Sequence, residues 1–219
     1  MKTWLITGAS RGFGALIMKS VLASGDAVVA TARDPSSIAD HPLLLKLPLD
    51  VSNEGQAREA AARGFEKFGR IDVLVNNAGY GLLGAVEEAS AIEVERVFAT
   101  NVFGLLNVTR AVLPYMRKRR SGHIINMSSI GGYASFSGWG VYCATKFAVE
   151  GISEALSIEL APLGIHATVV EPGYFRTDFL SAQSLSSTVA RIDDYVGNVG
   201  EIVPSPRPLI ISSPAIHSG

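Results

Sequence analysis

The sequence lacks several features that mark particular protein classes. Its one cysteine, Cys143, cannot form an intrachain disulfide, and its four histidines do not have metal-ligand spacing with that cysteine. No stretch approaches the ~18 apolar residues of a membrane helix, and the apolar start Trp4-Leu5-Ile6 is too short for a signal sequence. We therefore expect no metal site, no membrane partner and a reducing, cytoplasmic location.

The sequence also has no excess of one charge. Lys and Arg total 19 against 20 Asp and Glu, which gives a formal net charge of −1. Such a chain has no overall field to attract a polyanion. The local basic run 117–120 is interpreted as a solvated helix end, where cations meet the negative end of the helix dipole. We expect no nucleic-acid partner.

The apolar residues, 47 % of the 219, are arranged in short runs that alternate with segments of helical period. Continuous apolar runs are typical of parallel strands buried on both faces. Alternation of such strands with helices predicts one α/β domain over 1–219, a doubly wound parallel sheet of six or seven strands with helices on both faces. The predicted strands are Trp4–Thr7, Ala27–Ala32, Leu43–Leu49, Ile71–Val75, His123–Met127, Ile165–Val170 and, more weakly, Leu209–Ser212.

A long helix is predicted from Ser90 to about Leu113. It opens with Ser90-Ala-Ile-Glu93, a capping box in which the serine hydroxyl and the glutamate each satisfy a backbone donor.

A glycine-rich turn lies between the first predicted strand and the first predicted helix. Glycines there permit a sharp turn and the close approach of a pyrophosphate, which the N-terminus of the following helix attracts. The position of the turn favours a dinucleotide over an ordinary strand-to-helix turn. The candidate residues are Gly8, Ser10, Arg11, Gly12, Phe13 and Gly14.

The end of the second strand bears on the choice of cofactor. Arg33 follows Ala32 where an acidic residue would bind the ribose hydroxyls of NAD, and arginine suits the 2′-phosphate of NADP. Arg11 is placed to contact the same phosphate. The residues favour NADP(H), with NAD(H) as an alternative that Asp34 would serve.

Tyr142 is followed by Lys146 at the start of a predicted helix, a spacing that puts both side chains on one helix face. A neighbouring ammonium favours the phenolate, so we expect Lys146 to lower the pKa of Tyr142 and to fit it for acid–base catalysis. Ser129 follows the fifth strand, where its hydroxyl could hold a substrate oxygen beside the phenol.

With these motifs the chain resembles the short-chain dehydrogenase/reductase family. The resemblance runs from residue 3 to about 180, in family order and at about family spacing. It rests on Thr7-Gly8-x3-Gly12-x-Gly14, Asp50-Val51, Asn76-Asn77-Ala78-Gly79, Asn101, Ser129, Tyr142-x3-Lys146 and Pro172-Gly173. It implies a Rossmann-like fold and hydride transfer between a nicotinamide cofactor and a carbonyl or alcohol.

The resemblance also implies residue roles. Tyr142 would be the general acid, Lys146 its partner and a ligand of the nicotinamide ribose, and Ser129 the group that orients the carbonyl. Asn101 would support a proton relay from the lysine. The implied cofactor contacts are Asp50 and Val51 at the adenine, Asn77, Ala78 and Gly79 in the centre, and Pro172, Gly173 and Thr177 at the nicotinamide.

The substrate, the tail and the assembly are less well defined. An apolar carbonyl or alcohol substrate would suit the residues flanking the site, although ordinary packing explains them equally well: Leu82, Leu83, Tyr133, Phe136, Trp139, Phe175 and Phe179. Residues 181–219 are short for the family, which leaves a non-catalytic NADP(H)-binding regulator as the alternative function. The resemblance implies a homodimer or homotetramer.

Overall fold

The computed structural model describes residues 1–173 and 184–199. Its strands are β1 (Thr3–Thr7), β2 (Ala27–Ala32), β3 (Leu44–Pro48), β4 (Val73–Asn76), β5 (Gly81–Leu83), β6 (Gly122–Met127), β7 (Ile165–Val170) and β8 (Leu185–Ser187). Its α-helices are α1 (Gly12–Ala23), α2 (Glu54–Phe68), α3 (Ala91–Phe98), α4 (Leu105–Arg119) and α5 (Gly140–Leu160).

The main sheet is parallel, and its strand order is β3-β2-β1-β4-β6-β7. This order confirms the predicted doubly wound α/β architecture. The chain reverses its direction of winding at β1, which pairs with β2 on one side and β4 on the other. Ligands of such sheets bind at the carboxyl ends of the strands beside this reversal.

Two layers of helices cover the sheet. Successive strand residues, such as Leu5 and Ile6, belong to two separate apolar clusters, one on each face of the sheet. Helices α2, α4 and α5 contribute to the Leu5 cluster, and α1 contributes Met18 and Val21 to the Ile6 cluster. Burial on both faces explains why the inner strands are apolar at successive positions.

Strand β7 differs from the prediction. Its residues alternate between buried or half-buried and exposed, beginning with buried Ile165 and ending with Val170, which is 36 % exposed. Among the described strands β7 pairs with β6 alone, so it is not covered like the inner strands. The prediction of burial on both faces is wrong here. The predicted strand Leu209–Ser212 lies outside the described residues.

The predicted long helix is confirmed, together with its capping box. Ser90 Oγ accepts from Glu93 N at 3.3 Å, and Glu93 Oε2 accepts from Ser90 N at 2.9 Å. Between α3 and α4 the helix passes through one π-helical segment, Ala99–Gly104, which no sequence pattern predicted. Although 91–119 is long and apolar enough to cross a membrane, 56 % of its most apolar window is buried inside the protein, as in a core helix.

A small second sheet lies beside the main one. Strand β5 pairs in parallel with β8, so Leu82 and Leu83 are buried strand residues rather than members of a loop. Two carboxylates, one in the turn between β5 and α3 and one in α3, fix the chain after β8. Glu88 accepts from Ile192 N at 2.9 Å and Glu93 accepts from Val189 N at 2.9 Å.

The amino end of the sheet is held by buried Asp72. Its carboxylate accepts from Arg70 at 2.6 and 2.7 Å, from Arg119 at 2.9 Å and from Thr3 N at 2.8 Å. The basic run 117–120 does end a helix, as predicted, and part of it takes part in the fold. Arg119 pairs with Asp72, and Arg120 donates to the carbonyl of Pro162 at 2.6 Å. Within the described ranges, no group of His, Cys, Asp or Glu side chains is placed to hold a metal ion.

Candidate active site

The glycine turn follows β1 and leads directly into α1. Gly8 and Gly12 have φ values of +65° and +53°, a left-handed conformation that glycine adopts without strain. A Cβ on Gly14 would overlap the carbonyl oxygen of Gly8 and lie 2.6 Å from Nδ2 of Asn77. In the described structure no side chain caps α1, and its first turn has no acidic residue. The turn and the helix N-terminus therefore fit a pyrophosphate.

Hydrogen bonds to the loop after β4 stabilise the glycine turn. Thr7 Oγ1 accepts from the backbone N–H groups of Asn77 and Ala78, both at 3.0 Å. The Asn77 amide donates to the carbonyls of Thr7 at 2.9 Å and Gly8 at 3.1 Å. The Asn77 side chain thus supports the glycine turn, and its predicted contact with the cofactor stays a prediction.

The remaining residues predicted for the adenosine side lie at the carboxyl ends of β2 and β3. Arg33 is exposed directly after β2, as the NADP(H) prediction requires. Asp50 is exposed after β3 and accepts from Ser52 N and Oγ at 3.0 and 2.7 Å. Val51 is only 6 % exposed and belongs to the Leu5 cluster, so its side chain is part of the core.

The three predicted catalytic side chains come together. Ser129 lies just after β6 and its side chain is hydrogen-bonded to that of Tyr142. Tyr142 and Lys146 are both buried on α5, with the Lys146 Nζ 5.7 Å from the centre of the Tyr142 ring. The ammonium donates to the backbone carbonyl of Met127 at 2.8 Å. The carboxyl ends of β4 and β6 and the start of α5 therefore meet at one site.

The pKa of Tyr142 is raised, whereas the sequence analysis predicted that it would be lowered. Burial raises the pKa of Tyr142 to about 12, against the opposing effect of the hydrogen bond to Ser129, and the neighbouring Cys143 raises it further. Burial also lowers the pKa of Lys146 to about 8, and the negative charge of Glu150 acts against that change. Burial is therefore the largest effect on the pKa of each group, and it disfavours the charged form of both.

Asn101 lies in the π-helical segment and is 3 % exposed. Its amide donates to the carbonyl of Tyr80 at 2.9 Å and to Thr145 Oγ1 at 3.1 Å, and its Oδ1 accepts from Tyr80 N at 3.0 Å. Thr145 in turn donates to the carbonyl of Tyr142 at 2.7 Å. Asn101 therefore ties the loop after β4 to α5, and π-helical segments of this kind are frequent at functional sites.

The start of the loop after β7 contacts the turn that follows Ser129. The carbonyl of Pro172 accepts from Ile130 N at 3.4 Å, next to Ser129, and Gly173 is exposed. Thr177, Phe175 and Phe179 lie outside the described residues. Of the other aromatic candidates, Trp139 packs edge to face on Tyr142 with ring centres 5.5 Å apart.

A groove of about 430 Å³ lies beside the start of α5. Its apolar wall includes Ala85, Val86, Phe136 and Val199. One end carries Glu87, whose carboxylate accepts from the hydroxyl of Tyr195 at 2.6 Å. Tyr133, which was also expected near a substrate, is 83 % exposed.

Sequence reasoning missed several residues that support the site. Thr145 directly precedes Lys146, so a hydroxyl side chain next to a matched residue was a usable signal. Thr7 belongs to the matched glycine motif, but its bonds to the loop after β4 were not predicted. The carbonyl of Met127, which anchors Lys146, had no signal because every residue carries a backbone carbonyl.

Comparisons with known proteins agree with this geometry. The short chain dehydrogenase family model matches residues 2–187. A 3-ketodihydrosphingosine reductase from Bacteroides thetaiotaomicron is 44 % identical over 191 residues, which cover 87 % of this chain and 70 % of the relative. The solved structure of a short-chain dehydrogenase from Streptomyces avermitilis is 42 % identical with a TM-score of 0.86, covering 92 % of this chain and 77 % of that one.

Other similar structures contain nicotinamide cofactors. ElxO with NADP bound is 30 % identical with a TM-score of 0.77, covering 86 % of this chain and 87 % of that one. A 3-ketoacyl-(acyl-carrier-protein) reductase from Brucella melitensis complexed with NADH is 31 % identical with a TM-score of 0.80, covering 84 % and 79 %. With its fold, its glycine turn and its Ser129–Tyr142–Lys146 cluster, this chain belongs to the short-chain dehydrogenase family of oxidoreductases.

Proposed function

We propose that this oxidoreductase interconverts a carbonyl and a primary or secondary alcohol, with NADP(H) as its preferred cofactor and Tyr142 as general acid and base. One observation carries the proposal. The Ser129 and Tyr142 side chains are hydrogen-bonded to each other, with the Lys146 ammonium one helical turn away on a buried face.

Each of the three residues has a distinct task. Ser129 donates a hydrogen bond to the substrate oxygen and orients it, while Tyr142 transfers its phenolic proton to that oxygen during reduction. Lys146 favours the phenolate that remains, and its bond to Met127 fixes its position. A bound nicotinamide dinucleotide supplies the hydride for reduction and accepts it for oxidation.

The residues at the carboxyl edge of the sheet fit a dinucleotide. The turn Gly8–Gly14 and the N-terminus of α1 would hold the pyrophosphate, where a side chain on Gly14 would fill the turn. Arg33, exposed after β2, and Arg11 would bind the 2′-phosphate of NADP(H), and Asp50 would contact the adenine. NAD(H) would use the same turn without that phosphate contact.

We further propose an apolar carbonyl substrate. The groove beside α5 supports this class through Phe136 and Val86 in its wall, because apolar walls bury apolar parts of a ligand. Ser129, Tyr142 and Lys146 do not line the groove, which reaches α5 at Gly140, two residues before Tyr142. The similarity to a relative named for the reduction of a 3-keto compound supports a ketone and the reductive direction.

A cytoplasmic location and a homodimer or homotetramer are part of the proposal. Buried, unpaired Cys143 suits a reducing compartment. Phe147 and Ile158 on α5 are 47 % and 70 % exposed, which supports an assembly through α4 and α5. Sedimentation of the full chain tests the assembly, and a monomer at all concentrations would contradict it.

A screen of ketones and aldehydes tests the main proposal. The full chain is mixed with NADPH or NADH, and loss of the reduced-nicotinamide absorbance is followed. We expect turnover of apolar ketones, faster with NADPH at limiting cofactor. The alternative, a non-catalytic NADP(H)-binding regulator, predicts tight NADPH binding by fluorescence without turnover of any substrate.

A further inference from the structure

Glu150 lies behind the catalytic pair with an oxygen that the fold has buried. It follows Lys146 by four residues on α5, so the two side chains share a helix face. Its Oε1 is buried and has no hydrogen-bond partner in the described part of the chain. A buried carboxylate oxygen without a donor destabilises a fold, so its presence needs an explanation.

The loop that carries Ser129 makes room for this carboxylate. A Cβ on Gly132 would lie 2.7 Å from Glu150 Oε1 and 2.6 Å from the hydroxyl oxygen of Ser128. Gly132 closes the short 3-10 turn that Ser129 caps through a 3.1 Å bond from Gly131 N. Because Gly132 has no side chain, the Glu150 carboxylate can pack against the backbone of the loop that carries Ser129.

The groups around the Lys146 ammonium leave Glu150 with a clear electrostatic effect. Strand β6 contributes an uncharged carbonyl, that of Met127, at 2.8 Å, and the loop after β4 approaches at Gly79. On α5 itself the described neighbours that titrate are the Tyr142 phenol, the Cys143 thiol beside it, and Glu150. Glu150 is the one that favours the charged lysine, against burial, which favours the neutral amine.

We propose that Glu150 is a positioning residue that keeps Lys146 in its ammonium form at the pH of catalysis. The inference rests on the proposed function, in which Lys146 acts on Tyr142. It assigns a catalytic purpose to a carboxylate whose burial otherwise only weakens the fold.

The matched variants are Glu150→Gln, which keeps the shape and removes the charge, and Glu154→Gln, which removes an exposed charge one turn further along α5. The titration of Lys146 is followed by NMR on protein labelled at lysine Cε, with the signal assigned through Lys146→Arg. We expect its midpoint to fall by about one pH unit in Glu150→Gln, because the removed charge favours the ammonium across a partly buried site without contacting it. Glu154→Gln should titrate like the wild type.

The NMR experiment needs neither substrate nor turnover, so its result is independent of the proposed function. An unchanged Lys146 midpoint in Glu150→Gln, or an equal change in Glu154→Gln, would overturn the inference. Should Glu150→Gln not fold, Glu150→Asp moves the charge back by one methylene, and we then expect a smaller fall of the same sign.

Activity provides the second measurement. Removing a negative charge favours proton loss from both Lys146 and Tyr142, so the alkaline limb of kcat/KM for carbonyl reduction should move to lower pH in Glu150→Gln. An NMR change without a change in this pH profile would contradict the catalytic role. Absence of turnover in the wild type would instead contradict the proposed function.

Discussion

The Lys146 ammonium donates a 2.8 Å hydrogen bond to the backbone carbonyl of Met127, the last residue of β6. The bond joins α5 to the strand that leads to Ser129. It also provides a partner for a cation that is 8 % exposed, although one neutral carbonyl does not replace the hydration of an ammonium. The pKa of Lys146 is accordingly lowered to about 8 from 10.5.

This buried ammonium predicts a pH-dependent stability. Between about pH 8 and 10.5 the unfolded chain holds a proton on Lys146 that the folded protein has released, so the folded state gains stability as the pH rises. Lys146→Met removes that titration. We expect the free energy of unfolding of the wild type, relative to this variant, to increase by about 2 kcal/mol from pH 7.5 to 9.5 in urea titrations.

Lys19→Met is the control for this measurement, because Lys19 is exposed on α1. Its difference from the wild type should be the same at both pH values. Parallel curves for the wild type and Lys146→Met would mean that burial does not determine the protonation of Lys146.

The Tyr142 hydroxyl predicts a loss of catalysis without a loss of cofactor binding. Tyr142→Phe keeps the ring that packs on Trp139 and deletes the proton to be transferred. We expect kcat to fall by about 10²- to 10⁴-fold, as for the loss of a general acid, and the Kd for NADPH to change little. Steady-state kinetics and cofactor fluorescence measure the two quantities.

Tyr133→Phe serves as the control, because Tyr133 is 83 % exposed. It should retain wild-type kcat. Turnover near the wild-type rate in Tyr142→Phe would exclude the phenol as the proton donor.

The fold was largely predictable because burial leaves a direct trace in the sequence. All six residues of β2 are buried, so the strand is read as a continuous run of small and apolar residues. The same reasoning overestimated the burial of β7, because some of its exposed positions also carry β-branched residues. Pairing of β5 with β8 had no sequence signal, since three-residue strands are too short to show a period.

The site was predictable in its members but not in its energetics. Spacing alone put Tyr142 and Lys146 on one helix face, and the structure agrees. The effect of burial on their protonation was not predictable, because it depends on β6 and the loop after β4, which enclose the pair from distant parts of the chain. The role of the Asn77 side chain was likewise not predictable, because its amide donates to the carbonyls of Thr7 and Gly8, about 70 residues away in the sequence.

Arg33 predicts the cofactor preference. It is exposed at the carboxyl end of β2, and a guanidinium there would contact the 2′-phosphate that NADPH has and NADH lacks. We expect Arg33→Ala to raise the Kd for NADPH about tenfold or more, the loss of one charge-assisted hydrogen bond, and to leave the Kd for NADH unchanged. Fluorescence titration with both cofactors measures the difference.

Arg58→Ala controls for overall charge, because Arg58 is exposed on α2 and pairs with Glu54 at 2.9 Å. It should bind both cofactors like the wild type. An equal loss of NADPH and NADH affinity in Arg33→Ala would mean that Arg33 contacts a group present in both cofactors rather than the 2′-phosphate.

The tight packing at Gly14 predicts that one added methyl group disrupts the glycine turn. A Cβ there would overlap the Gly8 carbonyl oxygen, which is backbone and is already held by the Asn77 amide at 3.1 Å, so the turn must open. We expect Gly14→Ala to lower the free energy of unfolding by about 1 to 3 kcal/mol, the usual result of overpacking, and to weaken NADPH binding at least tenfold.

Gly151→Ala makes the same chemical change, but we expect it to change the free energy of unfolding in the opposite direction. Gly151 lies inside α5, and beyond the backbone of its own helix no atom of the described chain lies within 4 Å of the position a Cβ would take. Alanine there should therefore stabilise the protein by about 0.5 to 1 kcal/mol and leave NADPH binding unchanged. If Gly14→Ala bound NADPH as the wild type does, the close approach of Gly8 and Gly14 would have no part in holding the cofactor. Because both variants add one methyl group, the contrast between them separates the geometry of the turn from a general effect of replacing glycine.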